Sequence, residues 1–269
     1  MNNLLKSVAV LTTLLLSANL LAKEVSVPYI KITDNLYLIT HFGTKVGVSV
    51  GEDGLLIIDT PIKKHATELL AIIRDISDKP IKLLVNTHSD FDHTGGNELL
   101  AQNGATILSQ ANVAYSKAKH QILLNDNASI NFNQDKINLI SVISHSYSDL
   151  LVHFEKENVI FMGDVLGNKS HPTFYSGGID GLNNAFDTAL AMGNTSTKFI
   201  SGHGYIYDST QLKHHQQAIN EWGATLKKYY EQGLASSVIL QKPDIKSIIQ
   251  AFNGKDKVNY VKHKRLVKL

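Results

Sequence analysis

The segment Asn86-Thr-His88-Ser-Asp90-Phe-Asp92-His93-Thr-Gly-Gly96 decides how this chain is read. It places four potential metal ligands, His88, Asp90, Asp92 and His93, within six residues. Directly before it, Ile81-Lys-Leu-Leu-Val85 is a short apolar run of the kind that forms a buried strand; directly after His93, two glycines mark a turn. Loops at the carboxyl ends of strands are where α/β proteins build sites. Alternate residues of an extended segment share a face, so His88, Asp90 and Asp92 are expected to converge, with His93 turned toward a neighbouring position. That arrangement suits two ions a few Å apart. The competing reading is a polar surface loop with an accidental cluster, and the rest of the chain must decide between them.

Working outward, Leu36–Thr40, Val46–Val50 and Leu55–Ile58 read as consecutive strands, with turns at Gly43 and Glu52-Asp53-Gly54. From Pro61 the period changes: Ile62, Ala66, Leu69, Ile73 and Ile76 recur at three- and four-residue steps, the buried face of a helix with Pro61 in its first turn. In the second half, Ile137–Val142, Leu150–Phe154, Asn158–Phe161 and Lys198–Ile200 read as strands. Helical patterns lie around Leu99, Gln110–Gln121, Leu182–Met192 and Leu212–Tyr230. Strand clusters and helices in both halves predict two packed sheets with helices outside, in one domain without a linker.

Composition narrows the chemistry. The 269 residues carry 26 Lys and Arg against 24 Asp and Glu, a net +2, too little for the electrostatic footprint of a dedicated nucleic-acid binder. With no cysteine, disulfides, iron–sulfur clusters, thiolate-bound zinc and a thiol nucleophile are all excluded. Any metal falls to His, Asp and Glu, and the chain has 12 His.

Residues 1–22 are expected to be a signal peptide: Lys6 supplies the charged start, Val8–Leu16 the apolar run, and Ala22 the cut. Thr12, Thr13, Ser17 and Asn19 interrupt the roughly 20 apolar residues that a membrane span needs. Residues 23–269 would then be a periplasmic or secreted domain with no later segment long enough to cross a bilayer. The basic tail Lys262-His-Lys-Arg265 reads as solvated surface.

Three further segments answer the accidental-cluster reading. Val142-Ile-Ser-His145, Val159-Ile-Phe-Met-Gly163-Asp164 and Lys198-Phe-Ile-Ser-Gly202-His203-Gly204 each close an apolar strand with a metal-ligating residue. The ordered series His88-x-Asp90-x-Asp92-His93, His145, Asp164, His203 resembles the metallo-β-lactamase-fold hydrolase superfamily. Leu55-Leu-Ile-Ile-Asp59-Thr-Pro, Asn86-Thr-His88 and Gly95-Gly96-Asn97 also match it.

The resemblance implies a four-layer αββα sandwich with a dinuclear site at one edge. Carried over by position, His88, Asp90 and His145 would hold the first metal. Asp92, His93 and His203 would hold the second, and Asp164 would bridge. Asp90 stands where the family usually has His, which shifts preference from zinc toward iron or manganese; the flavodiiron oxygen reductases of the superfamily also carry a carboxylate there. Two divalent ions, zinc by family usage, are the expected cofactors, against a single ion at the second site. The implied activity is cleavage of an amide, ester or thioester, a β-lactam or lactone included, by a metal-bound hydroxide, with Asp92 orienting it or accepting its proton. An iron-dependent redox enzyme and a non-catalytic metal-binding accessory protein are the alternatives. Asp59 would hydrogen-bond a ligand or the motif loop, or else merely cap its strand. Lys169 could offer a cation to a substrate carboxylate, and the hairpin tip His41–Lys45 could overhang the site as a flap. Tyr147 and Trp222 read as core residues, and His214-His215 as solvated.

Overall fold

A computed structural model describes residues 28–111, 120–168, 172 and 174–253. The signal segment, Lys169 and the basic tail lie outside the described residues. The first sheet has seven strands in the spatial order in which the chain makes them: β1 (Tyr29–Lys31), β2 (Leu36–Phe42), β3 (Thr44–Gly51), β4 (Gly54–Ile58), β5 (Ile81–Val85), β6 (Thr106–Gln110) and β7 (Gln121–Leu124). Strands β1 to β4 pair antiparallel, and β4 to β7 pair parallel. Parallel neighbours need crossovers. Helix α1 (Ala66–Ile76) supplies the one between β4 and β5; α2 (Phe91–Thr94) and α3 (Asn97–Gln102) supply the one between β5 and β6.

The second sheet runs β13-β12-β11-β10-β9-β8. Its strands are β8 (Ala128–Phe132), β9 (Asp135–Val142), β10 (Asp149–Phe154), β11 (Val159–Gly163), β12 (Lys198–Ser201) and β13 (Ile206–Tyr207). Helix α4 (Gly178–Met192) links the parallel pair β11 and β12. Helices α5 (Ser209–Glu231), α6 (Ser236–Ile239) and α7 (Pro243–Asn253) follow β13.

The layering follows from strands that are apolar on both faces. In β4, Leu56 and Ile58 join the core between the sheets with Ile137, Val152 and Phe161 of the second sheet. Leu55 and Ile57 turn the other way, onto Leu69 and Ile73 of α1 and Leu100 of α3. In β10, Leu150, Val152 and Phe154 face the first sheet, whereas Leu151 faces Leu182 and Phe186 of α4 and Trp222 of α5. The result is the αββα sandwich. No helix among the described residues is long and apolar enough to cross a membrane.

Several expectations are corrected. Pro61 does not begin α1; a single 3-10 turn at Lys63–His65 intervenes. The helix expected over Gln110–Gln121 is strand at both ends, since Gln110 closes β6 and Gln121 opens β7; the residues between lie outside the described ones. Tyr147 is 64% exposed rather than core. His215 is buried on the inner face of α5 beside Tyr207 and Phe186, and only His214 is solvated. Trp222 is core, edge-on to Phe174.

Candidate metal centre

Asp59 ends β4, His88 follows β5, His145 follows β9, Asp164 follows β11 and His203 follows β12. All five therefore meet at one edge of the sandwich. Asn86 stiffens the motif loop: its amide donates to the His93 carbonyl at 3.1 Å and exchanges bonds with Asn97 at 2.8 and 3.2 Å. The expected strand-like alternation holds only as far as Asp90. Phe91–Thr94 is a helical turn, so Asp92 and His93 reach the site as successive residues of α2.

The seven side chains form two groups about one carboxylate. Asp164 Oδ1 lies 3.3 Å from His93 Nε2 and 3.4 Å from His203 Nε2, and Asp92 Oδ2 lies 3.2 Å from His203 Nε2. Asp164 Oδ2 lies 4.0 Å from both His88 Nε2 and His145 Nε2. Asp90 Oδ2 joins this second set, 3.2 Å from His145 Nε2 and 3.8 Å from His88 Nε2. His88, His145 and Asp164 place one donor atom each within 4.8 Å of one another, and so do Asp92, His93 and His203.

Hydrogen bonding dictates which nitrogen of each imidazole faces inward. A carboxylate only accepts, so His93 Nδ1 donates to Asp59 Oδ2 at 2.8 Å. Thr87 Oγ1 gives its proton to the same Asp59 Oδ2 at 2.7 Å and must therefore accept from His88 Nδ1 at 3.0 Å. His203 Nδ1 donates to the Gly43 carbonyl at 3.2 Å. All three imidazoles consequently turn Nε2 into the site. His93 Nε2 and His203 Nε2 face each other at 3.1 Å, which two lone pairs do not tolerate without a cation or a proton between them.

Protons balance every imidazole of the site but His88. Burial alone would lower His93 and His203, but Asp59 and Asp164 hold His93 well above the ordinary histidine value. Asp164 and Asp92 raise His203 to about 9. Asp164, which burial would raise, is held well below the carboxylate range by His203 and His93. Hydrogen bonds from His145 and His203 depress Asp90 and Asp92 respectively. His88 behaves oppositely: burial, then the charge of His93, push it down to about 4. Its Nε2 is buried without a hydrogen-bond partner, aimed between two carboxylates. An orphaned imidazole lone pair beside anionic oxygens fits a divalent cation.

Loops around the site are cross-tied. Asp149 accepts from Ser144 N, Ser146 N and Ser146 Oγ, which shapes the turn carrying His145; burial raises Asp149 to about 6. Asn168 joins the loop after Asp164 to the His203 loop, donating to Tyr205 O at 3.0 Å and accepting from Tyr205 N at 2.7 Å. The β2–β3 hairpin is fastened to that same loop. Lys45 N donates to Gly202 O, and Lys45 Nζ donates to Ser201 O and Gly204 O. Two glycines are required by contact. A Cβ on Gly163 (φ +52°) would meet Thr87 Oγ1 at 2.5 Å, and one on Gly202 would run into Asp164 Oδ1. Thr87, Asp149 and Asn168 are not legible in the sequence because none is a metal-ligating type in a recognisable spacing; the Ser-x-x-Asp turn at 146–149 is the one available signal.

Comparison with known proteins agrees with this architecture. Residues 39–108 match the model of the metallo-beta-lactamase superfamily. A hydroxyacylglutathione hydrolase of Pelagibacter ubique is 24% identical over 149 residues, covering 54% of this chain, and the chain spans only 62% of that relative's length. A metallo-beta-lactamase from Pontibacter korlensis superposes with TM-score 0.61 at 19% identity, over 71% of this chain and 98% of that one. The sec-alkylsulfatase Pisa1 from Pseudomonas sp. superposes with TM-score 0.66 at 15% identity, over 80% of this chain and 45% of that one. The two-sheet fold is thus the one these solved structures share, and residues 39–108 carry the sequence similarity to the superfamily.

Proposed function

We propose that this protein is an exported metal-dependent hydrolase that cleaves an ester, thioester or amide carbonyl. The observation that carries the reading is the straddling carboxylate of Asp164, with one oxygen toward His93 and His203 and the other toward His88 and His145. His88, Asp90 and His145 would hold one divalent ion and Asp92, His93 and His203 a second, with Asp164 shared. Ions held there supply Lewis acidity and bring water's pKa toward neutrality.

The chain's own groups do the rest. Asp59 and Thr87 keep two imidazoles in the tautomer that presents Nε2, and the hairpin carbonyl of Gly43 does so for His203. Asp92, with its side chain 30% exposed, stands on the open side. As a ligand of the second ion Asp92 would stay ionised and be a weak base; its carboxylate would orient the attacking water, take up its proton and pass it on to the leaving group. The hydroxyacylglutathione hydrolase relative supports a thioester or ester over other carbonyl compounds.

The test is metal content of the purified protein by elemental analysis, followed by turnover of aryl esters, acyl thioesters, lactones and chromogenic β-lactams. The apoprotein is compared with zinc-, manganese- and iron-loaded forms. Metal-dependent cleavage of at least one class is expected. A loaded protein that cleaves none would overturn the reading.

A further inference from the structure

The four exposed aromatic side chains among the described residues, Phe91, Tyr147, Tyr175 and Tyr205, are all neighbours of the metal-facing groups. Phe91 sits between Asp90 and Asp92 at the start of α2 and is 76% exposed. Tyr147 follows His145 by two residues and Tyr205 follows His203 by two, at 64% and 59% exposure. Tyr175, 41% exposed, has its ring 5.4 Å from that of His145. Single exposed aromatics scattered over a surface mean little, but four that all stand within two residues of a metal-facing group or in ring contact with one mark a contact surface. Tyr147 and Tyr175 attend His145, Tyr205 attends His203, and Phe91 lies in the motif itself.

We propose that these aromatic rings receive an apolar flank of the substrate, so that the substrate carries an aryl or alkyl group beside the scissile bond. The inference rests on the hydrolase reading for its reaction but not for its binding surface, and the test separates the two.

Metal-loaded protein is titrated calorimetrically with acetohydroxamate, 3-phenylpropionohydroxamate and the monohydroxamate of succinate, three probes that share a metal-binding head. The phenyl tail is expected to tighten binding about tenfold over acetohydroxamate, and the carboxylate tail to give no gain. In Phe91→Ala and Tyr205→Ala the phenyl-to-methyl ratio should fall to about two. Because the ratio is taken within each protein, a change in metal occupancy cancels. A ratio near one in the unaltered protein, a ratio that both variants preserve, or tightest binding by the succinate probe would overturn the proposal. A phenyl preference without turnover of any ester or thioester leaves the rim standing and removes the hydrolase. Turnover without a phenyl preference does the reverse. If no probe binds and elemental analysis finds no metal, both readings fall.

Discussion

Replacing Asp59 by Asn exchanges one oxygen for an NH2 group of nearly the same shape, and in doing so reverses the hydrogen bonding behind two metal-facing histidines. Asp59 Oδ1 accepts from Thr87 N at 2.7 Å, so the amide oxygen of an asparagine must stay there and the NH2 must take the place of Oδ2. Oδ2 now accepts from both Thr87 Oγ1 and His93 Nδ1. Facing a donor instead, Thr87 would turn its proton to His88 Nδ1, and His93 Nδ1 would have to accept. Both imidazoles would then carry hydrogen on Nε2, where a metal must sit. Loss of one orienting partner costs 10- to 100-fold in metal affinity, and since His88 and His93 serve different ions, each of the two sites should weaken by about 10- to 100-fold. Competition against a chromophoric chelator measures the affinity, and circular dichroism confirms the fold. Thr87→Val interrupts only the His88 branch and should weaken only one of two sites, by about tenfold. A folded Asp59→Asn protein that binds metal within twofold of the unaltered chain would refute the tautomer argument.

Other consequences are equally direct. Gly202→Ala places a methyl group against Asp164 Oδ1 and 2.9 Å from His93 Cε1, so metal stoichiometry and turnover should collapse while the melting temperature falls only modestly. Asp90→His should shift metal preference toward zinc in elemental analysis after growth in mixed metals; an unchanged profile would mean that Asp90 contributes nothing to selection. Asp149, raised from 3.8 to about 6 in the fold, is best tolerated protonated. Measured against Asp149→Asn by denaturant titration, wild-type stability should fall by about 3 kcal/mol as pH rises from about 4 to about 6 and be flat above. His215, lowered from 6.5 to about 4 by burial, runs the other way: the neutral ring's contribution is lost as pH falls from about 6.5 to about 4, again by about 3 kcal/mol, measured against His215→Phe. The two slopes offset each other in the unaltered protein, which is why the variants are needed. Export predicts that mass spectrometry of protein from the native host finds Lys23 at the amino terminus.

Much of the fold is legible in the sequence because its central strands bury both faces. Leu55–Ile58 is a continuous apolar run, Ile81–Val85 and Leu150–Phe154 are apolar but for Lys82 and His153, and each is a strand where expected; the strand expected over Asn158–Phe161 forms as Val159–Gly163. The peripheral strands differ: β8, Ala-Ser-Ile-Asn-Phe, alternates with period two and is legible, though not among the expected strands, whereas β7, Gln-Ile-Leu-Leu, has no alternation and is a strand because it pairs with β6. Pairing also overrides the helical pattern at Gln110 and Gln121, since each extends a strand hydrogen-bonded to the sheet. His215 departs from its expected place because a polar ring on an amphipathic helix looks solvated until Tyr207 and Phe186 close over it.

The sequence alone determined which residue types stand at the ends of which apolar strands, and the ordered series they make, over the 115 positions from His88 to His203, is what carries the resemblance that implies a shared centre. It could do so because a strand's period and the identity of its terminal residue are local properties. Only the tertiary structure decided that Asp164 turns one oxygen to each group, that α2 rather than an extended loop delivers Asp92 and His93, and that Asp59 and Thr87 choose the inward nitrogen of two histidines. Those outcomes depend on the direction of hydrogen bonds between segments from different strands, and direction exists only once the strands are packed side by side.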